Sequence, residues 1–106
     1  MKKLRDYATD DELIALINRR RRQILVHSVI YYKLGDNIIS DHQWQDWANE
    51  LDALQKAFPD IANKCVYADA FKKFDPCSGF NLPLDDPWAV NKARQLLLLE
   101  DKRKGE

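Results

Sequence analysis

Glycine and proline are scarce in this chain, with three and four in 106 residues. A fold of many tight turns needs more of both, so long helices are favoured. Cysteine is scarcer still. Cys65 and Cys77 are the two present, and they form no C-x-x-C pair. That excludes a disulfide framework and the usual redox or zinc motifs, and reduced thiols are expected. There is no excess of charge of either sign: seventeen Lys and Arg face seventeen Asp and Glu. A neutral chain has no overall field drawing it onto nucleic acid, so direct DNA binding is not expected without a local patch. Long apolar runs are also missing. The longest aliphatic stretch, Leu96 to Leu99, is far short of the roughly 20 residues of a membrane span. The opening Met-Lys-Lys-Leu-Arg-Asp leads into no apolar segment of the signal-peptide kind. These absences together predict a cytoplasmic protein without a membrane partner.

What is present reads as one all-α domain over 1–106. Hydrophobic residues make up 45% of the chain, enough to give a domain of this length a modest core rather than a disordered chain. Residues 9 to 34 read as one long helix. Thr9 and Glu12 have the spacing of a capping box, and Asp10, Asp11 and Glu12 suit the positive end of the helix dipole. Apolar residues recur at 13, 14, 16, 17, 24, 25 and 31, with Ser28 in the same stripe, and Gly35 supplies the stop. After a short connector, a second helix is predicted from Ser40 or Asp41, with Ser40 and Gln43 again at capping-box spacing. Trp44, Trp47, Leu51, Leu54 and Phe58 form its apolar face, and Pro59 ends it. Two helices joined this closely imply an antiparallel hairpin over 9–60. Residues 61–106 read as an irregular segment followed by a helix that packs on the hairpin. Ile61 to Phe74 can hold one or two helical turns. Asp75-Pro76-Cys77-Ser78-Gly79 is turn chemistry, and Asp86-Pro87 is an N-cap followed by proline at the first helical position. That last helix is expected to fray from Asp101 onward.

Residues 19 to 60 carry a further pattern. Tyr31-Tyr32 ends the first helix, and Ile39 lies in the turn. Asp41 and Trp44-Gln45 open the second helix, which continues through Glu50-Leu51 to Phe58-Pro59. In this order and spacing the segment resembles the small N-terminal subdomain (domain Ia) of bacterial NAD-dependent DNA ligases. That subdomain grips the nicotinamide mononucleotide half of NAD with aromatic rings and polar groups. The resemblance implies a cofactor-binding set of Tyr31, Tyr32, Asp41, Trp44 and Gln45, with NAD or nicotinamide mononucleotide as the ligand. Two positions depart from the family. Trp44 replaces a Tyr, keeping a stacking face and losing the phenol oxygen. Gln45 replaces an Asp, removing a negative charge that would face a cationic pyridinium. A lost charged hydrogen bond is worth roughly 1.5–3 kcal/mol, so ligand binding weakened by Gln45 is expected. The family's catalytic lysine sits in a Lys-x-Asp-Gly motif of a separate adenylation domain. The nearest string here, Lys73-Phe74-Asp75-Pro76, has Pro in place of Gly. No catalytic residue is assigned, and the chain is expected not to be an enzyme by itself. The resemblance points instead to a stand-alone phage or prophage module connected with DNA replication and repair. Its partner could be an adenylation domain or a replication factor.

On pattern alone, several of these residues read equally well as structure. Tyr31 and Tyr32 fit core packing as readily as a site. Trp44 and Trp47 share a helical face, and Trp47 is the better core candidate. Asp41 suits the first turn of a helix in any case. Arg19 to Arg22 wrap most of a helix circumference. A solvated, salt-bridged run fits them better than a phosphate site, with at least one arginine lying over apolar surface and its head in water. His27 is expected at the hairpin seam. No His, Cys, Asp or Glu spacing suggests a metal. A protein-docking module, presenting the Trp-rich second helix and the Leu-rich last helix, is the alternative to a nucleotide-binding one.

Overall fold

The computed structural model describes residues 8–104, with the side chains of 102–104 left aside. It is all-α, in the order α1 (Asp10–Tyr32), α2 (Asp41–Ala57), α3 (Pro59–Ala62) and α4 (Pro87–Lys104). At its start α1 has the full capping box: the Glu12 amide donates to Thr9 Oγ1, and Glu12 Oε1 accepts from the Thr9 amide. Its last helical residue is Tyr32, two short of the predicted end. Beyond it the Leu34 amide turns back to the Val29 carbonyl and the Asp36 amide to that of Ile30. Gly35 stands between them at φ +63°, where a side chain is strained. Ser40 caps α2 through the Gln43 amide. The return half of that predicted box is not made.

The core lies along α1. Leu13, Ile17, Arg21, Ile24 and Ser28 follow one another at helical spacing and are all buried. From Ile24 to Ile30 burial widens to nearly the whole circumference, because α2 packs on one part of α1 and α4 on another. The α1–α2 pair is antiparallel: His27 meets Trp47, while Arg20 and Arg21 reach Glu50 and Gln55 further along. Ala89 and Ala93, both fully buried, are the small residues with which α4 enters the core. Its start follows the Asp86-Pro87 signal. The Asp86 carboxylate accepts from the Ala89 amide and also from the Tyr67 hydroxyl, at 2.9 Å. Helix α4 runs through 101–104 rather than fraying at Asp101.

Two departures from the sequence reading concern α1. Tyr31 is 56% exposed and stands off the core stripe to which its spacing assigns it. Arg21, read as part of a solvated run, is buried to 2%, head included, while the arginine expected over apolar surface with its head in water is the exposed Arg22, 5.8 Å over the ring of Trp88. The Arg21 guanidinium has a set of acceptors waiting: Gln55 Oε1 at 2.9 Å and the carbonyls of Ala62 and Val66 at 2.9 and 3.0 Å. The ring of Phe71 lies 5.6 Å from its Cζ. Those carbonyls end α3 and begin the irregular segment, so a buried cation organises residues 62–71 around itself. Burial lowers the pKa of this guanidinium.

Candidate functional site

A cavity of about 220 Å³ opens at the elbow of the hairpin. The last turns of α1 supply His27, Ser28, Tyr31 and Tyr32. The connector supplies Asn37 and Ile39. The first turns of α2 supply Asp41, Trp44 and Gln45, and the turn after Pro76 adds Cys77 and Ser78. All five residues of the sequence-derived set therefore line one concavity. The geometry follows from the caps. Helix α1 ends at Tyr32 and α2 begins at Asp41, so the tyrosine pair and the Asp41–Gln45 turn face each other across a short connector.

The aromatic side of the cavity is a connected ridge. Tyr31 and Tyr32 meet edge to face at 4.9 Å, and Tyr32 meets Phe80 in the same way at 5.5 Å. The Tyr32 hydroxyl lies 3.3 Å from Ser78 Oγ. Trp44 is half-buried and packs partly against the core while lining the cavity. Trp47 lies outside it, with its ring between His27 and the Arg20 guanidinium.

Gln45 joins α2 to the 75–80 turn. Its Nε2 donates to the Pro76 carbonyl at 2.8 Å and to Asn49 Oδ1 at 2.9 Å. A carboxylate at this position has no proton to donate and would face the Pro76 carbonyl with its own negative oxygens. Gln45 therefore clamps the 75–80 turn to α2. That turn is shaped locally by Asp75, whose carboxylate accepts from the Cys77 amide, and by Ser78 Oγ, which accepts from the Phe80 amide. Gly79 lets it close. A Cβ there would overlap Ser28 Oγ, lie 2.9 Å from Ser28 Cβ and 3.3 Å from Trp44 Cζ2. The turn thus presses on both helices and forms the remaining wall.

The charges of the cavity are few. Asp41 is exposed and, among the described residues, is the one acidic residue on its wall, with neither Lys nor Arg lining it. The N-terminus of α2 contributes a partial positive charge, about half a unit, which the full charge of Asp41 exceeds. Burial lowers the pKa of His27, so its imidazole is neutral near pH 7, and its Nδ1 is buried without a hydrogen-bond partner. Three of the four arginines of the run are engaged elsewhere. Arg20 binds Glu50 and Gln23, Arg21 is enclosed, and Arg22 lies 5.8 Å over the ring of Trp88. Cys65 is buried, with its thiol raised in pKa by desolvation, and Cys77 is exposed. Among the described residues no group of three His, Cys, Asp or Glu could hold a metal, and no helix is long and apolar enough to cross a membrane. Neither Lys73, in the lysine string, nor the exposed Asp75, which opens the turn, lines the cavity.

Sequence reasoning missed the 75–80 wall and the part played by His27 and Ser28. The Asp-Pro-Cys-Ser-Gly string announces a turn, but nothing in it says against which helices the turn packs. No family model, no curated protein and no solved structure matches the chain.

Proposed function

We propose that this cavity binds the nicotinamide half of nicotinamide mononucleotide or NAD, and that the chain is a recognition module rather than a complete ligase. The observation that carries this reading is the meeting of Tyr31, Tyr32, Asp41, Trp44 and Gln45, the residues singled out by the ligase resemblance, on one cavity. Its volume, about 220 Å³, is below the roughly 300–1,000 Å³ typical of sites that enclose a drug-sized ligand. It suits a single ring and its immediate substituents, leaving the rest of a dinucleotide outside. Without Lys-x-Asp-Gly chemistry the module does not form a lysine adduct by itself. Its place is in the cytoplasm, in DNA replication or repair, supplying nicotinamide recognition to a separate adenylation domain. Such a partnership must overcome association entropy that a fused domain avoids.

The test is a titration of ¹⁵N-labelled protein with nicotinamide mononucleotide and NAD to millimolar concentration. Amide shifts confined to residues 27–45 and 76–79 are expected. No shifts in these segments would refute nucleotide recognition. Incubation with labelled NAD is expected to leave the chain unmodified.

A docking module is the second reading. It is favoured by Leu98 and Leu99 of α4, exposed to 69% and 60% on a helix otherwise anchored by Ala89 and Ala93. A replication factor is the kind of partner it implies. Loss of a co-purifying partner on Leu98→Glu/Leu99→Glu, with nucleotide shifts absent, would favour it.

A further inference from the structure

We propose that the ridge of Tyr31, Tyr32 and Phe80, with the groove beside it, docks an extended, proline-rich segment of a partner protein that carries arginine or lysine. The groove shares no lining residue with the elbow cavity, so the proposal stands whether or not that cavity takes a nucleotide.

Three large rings stand in mutual contact and in water here. Tyr31 and Tyr32 are exposed to 56% and 40%, and Phe80 to 65%. Single exposed rings are ordinary, whereas contiguous ones mark an interaction surface. Their planes stand at 87° and 75° to one another, so the ridge is a series of steps. At Phe80 it meets a groove of about 470 Å³, with the nearly buried Leu82 and Leu84 in its lining. The charges of that groove are Lys33, Asp85 and Asp86, two carboxylates to one cation. Asp86 is engaged by the Tyr67 hydroxyl and the Ala89 amide. The Asp85 side chain is 89% exposed and meets Lys33 at 2.8 Å. An exposed pair of this kind is held weakly, so a partner's guanidinium can take the carboxylate with two parallel hydrogen bonds. Charge complementarity therefore asks for a basic partner.

The form of that partner follows from what the surface offers. Among the described residues there is no strand, and so no sheet edge for a peptide to extend. A docked helix lays one continuous apolar face into a groove, and here the exposed rings interrupt the apolar surface. A polyproline II segment needs neither edge nor trough. Its backbone is already extended at low entropic cost, and its prolines pack on aromatic rings. Rings set in steps suit the rigid pyrrolidines, and Asp85 at the groove suits a basic residue at one end of the segment.

The experiment titrates the ¹⁵N-labelled full chain with synthetic peptides of equal length. One alternates proline with leucine and ends in a pair of arginines. The second ends in glutamates instead. The third carries the same arginines on an amphipathic helix-forming sequence. The first should move the amides of residues 31–33, 80 and 84–86 and leave those of 41–45 in place. It should bind about tenfold tighter than the glutamate peptide. Phe80→Ala should weaken it about tenfold without moving the core amides of Ile24 to Ile30. Asp85→Lys should abolish the preference for arginine over glutamate. Equal affinities of the arginine and glutamate peptides, tighter binding of the helical peptide, or no shift at 80–86 with any of them each overturn the proposal. Shifts at the same residues on raising the protein concentration alone would assign the ridge to a second copy of the chain and overturn it too. A response of 41–45 to nicotinamide mononucleotide is read separately, so the nucleotide reading stands or falls by itself.

Discussion

Arg21 shows how far a single residue can depart from its type. A guanidinium with no carboxylate partner among the described residues is held at 2% exposure by one side-chain amide and two main-chain carbonyls. Replacing it with Ala leaves those carbonyls facing a void. Each unsatisfied buried group costs about 1–3 kcal/mol, so Arg21→Ala should lower stability by about 2–4 kcal/mol. Urea unfolding should show a lower midpoint at an unchanged slope. Arg21→Lys should recover only part of the loss, because an ammonium cannot present the planar fork. His27 governs a different property. Its folded pKa is lowered by burial, so the unfolded chain takes up a proton first as pH falls. The stability that comes from keeping His27 neutral is present above its ordinary value of 6.5 and declines as pH falls through it towards the lower folded value. His27→Gln should flatten the stability profile over that window. An unchanged slope between pH 7 and the onset of carboxylate titration would assign the effect elsewhere.

At the scale of elements, the cavity depends on a turn that neither helix encodes. Gly79 is the point of closest approach. Gly79→Ala drives a methyl group into Ser28 and against Trp44, and overpacking of this kind costs about 1–3 kcal/mol. Ser28→Ala in the same chain removes the nearest atom and should recover part of that loss, so the two changes should be non-additive in a double-mutant cycle. Gln45→Glu tests the clamp without touching the core. It should release the 75–80 turn and speed modification of the exposed Cys77 thiol by a disulfide reagent several-fold. An unaltered rate would mean that Gly79 packing alone holds the turn. The helix boundaries themselves were readable from Thr9, Ser40, Pro59 and Asp86, because caps and proline act within one turn of chain. The contacts of the 75–80 turn were not, because they are made with residues about 30 or more positions away.

The molecule as a whole is organised around one helix. At about 1.5 Å per residue, the 23 residues of α1 span roughly 35 Å, and both other long helices pack on it. Amides in the last half of α1, from Ile24 to Ile30, should exchange with solvent only through global unfolding. Those of the 75–80 turn and of α4 beyond Leu98 should exchange through local opening. Native-state hydrogen exchange in low denaturant resolves the two classes, and equal protection throughout would show that the turn is as cooperative as the core.

The sequence by itself determined the all-α class, the three long helices and their caps, and a candidate set of five residues with consistent spacing. The class, the helices and the caps are consequences of local chemistry and of a periodicity that any window of the chain displays, whereas the five residues are what the ligase resemblance implies. The tertiary structure decided that Tyr31 and Tyr32 stand out of the core and face Asp41, and that Arg21 is enclosed. It also decided that Gln45 holds the 75–80 turn. Each of these depends on the partner surface that burial selects, and a hydrogen bond or a clash with a distant segment leaves no mark on the local pattern.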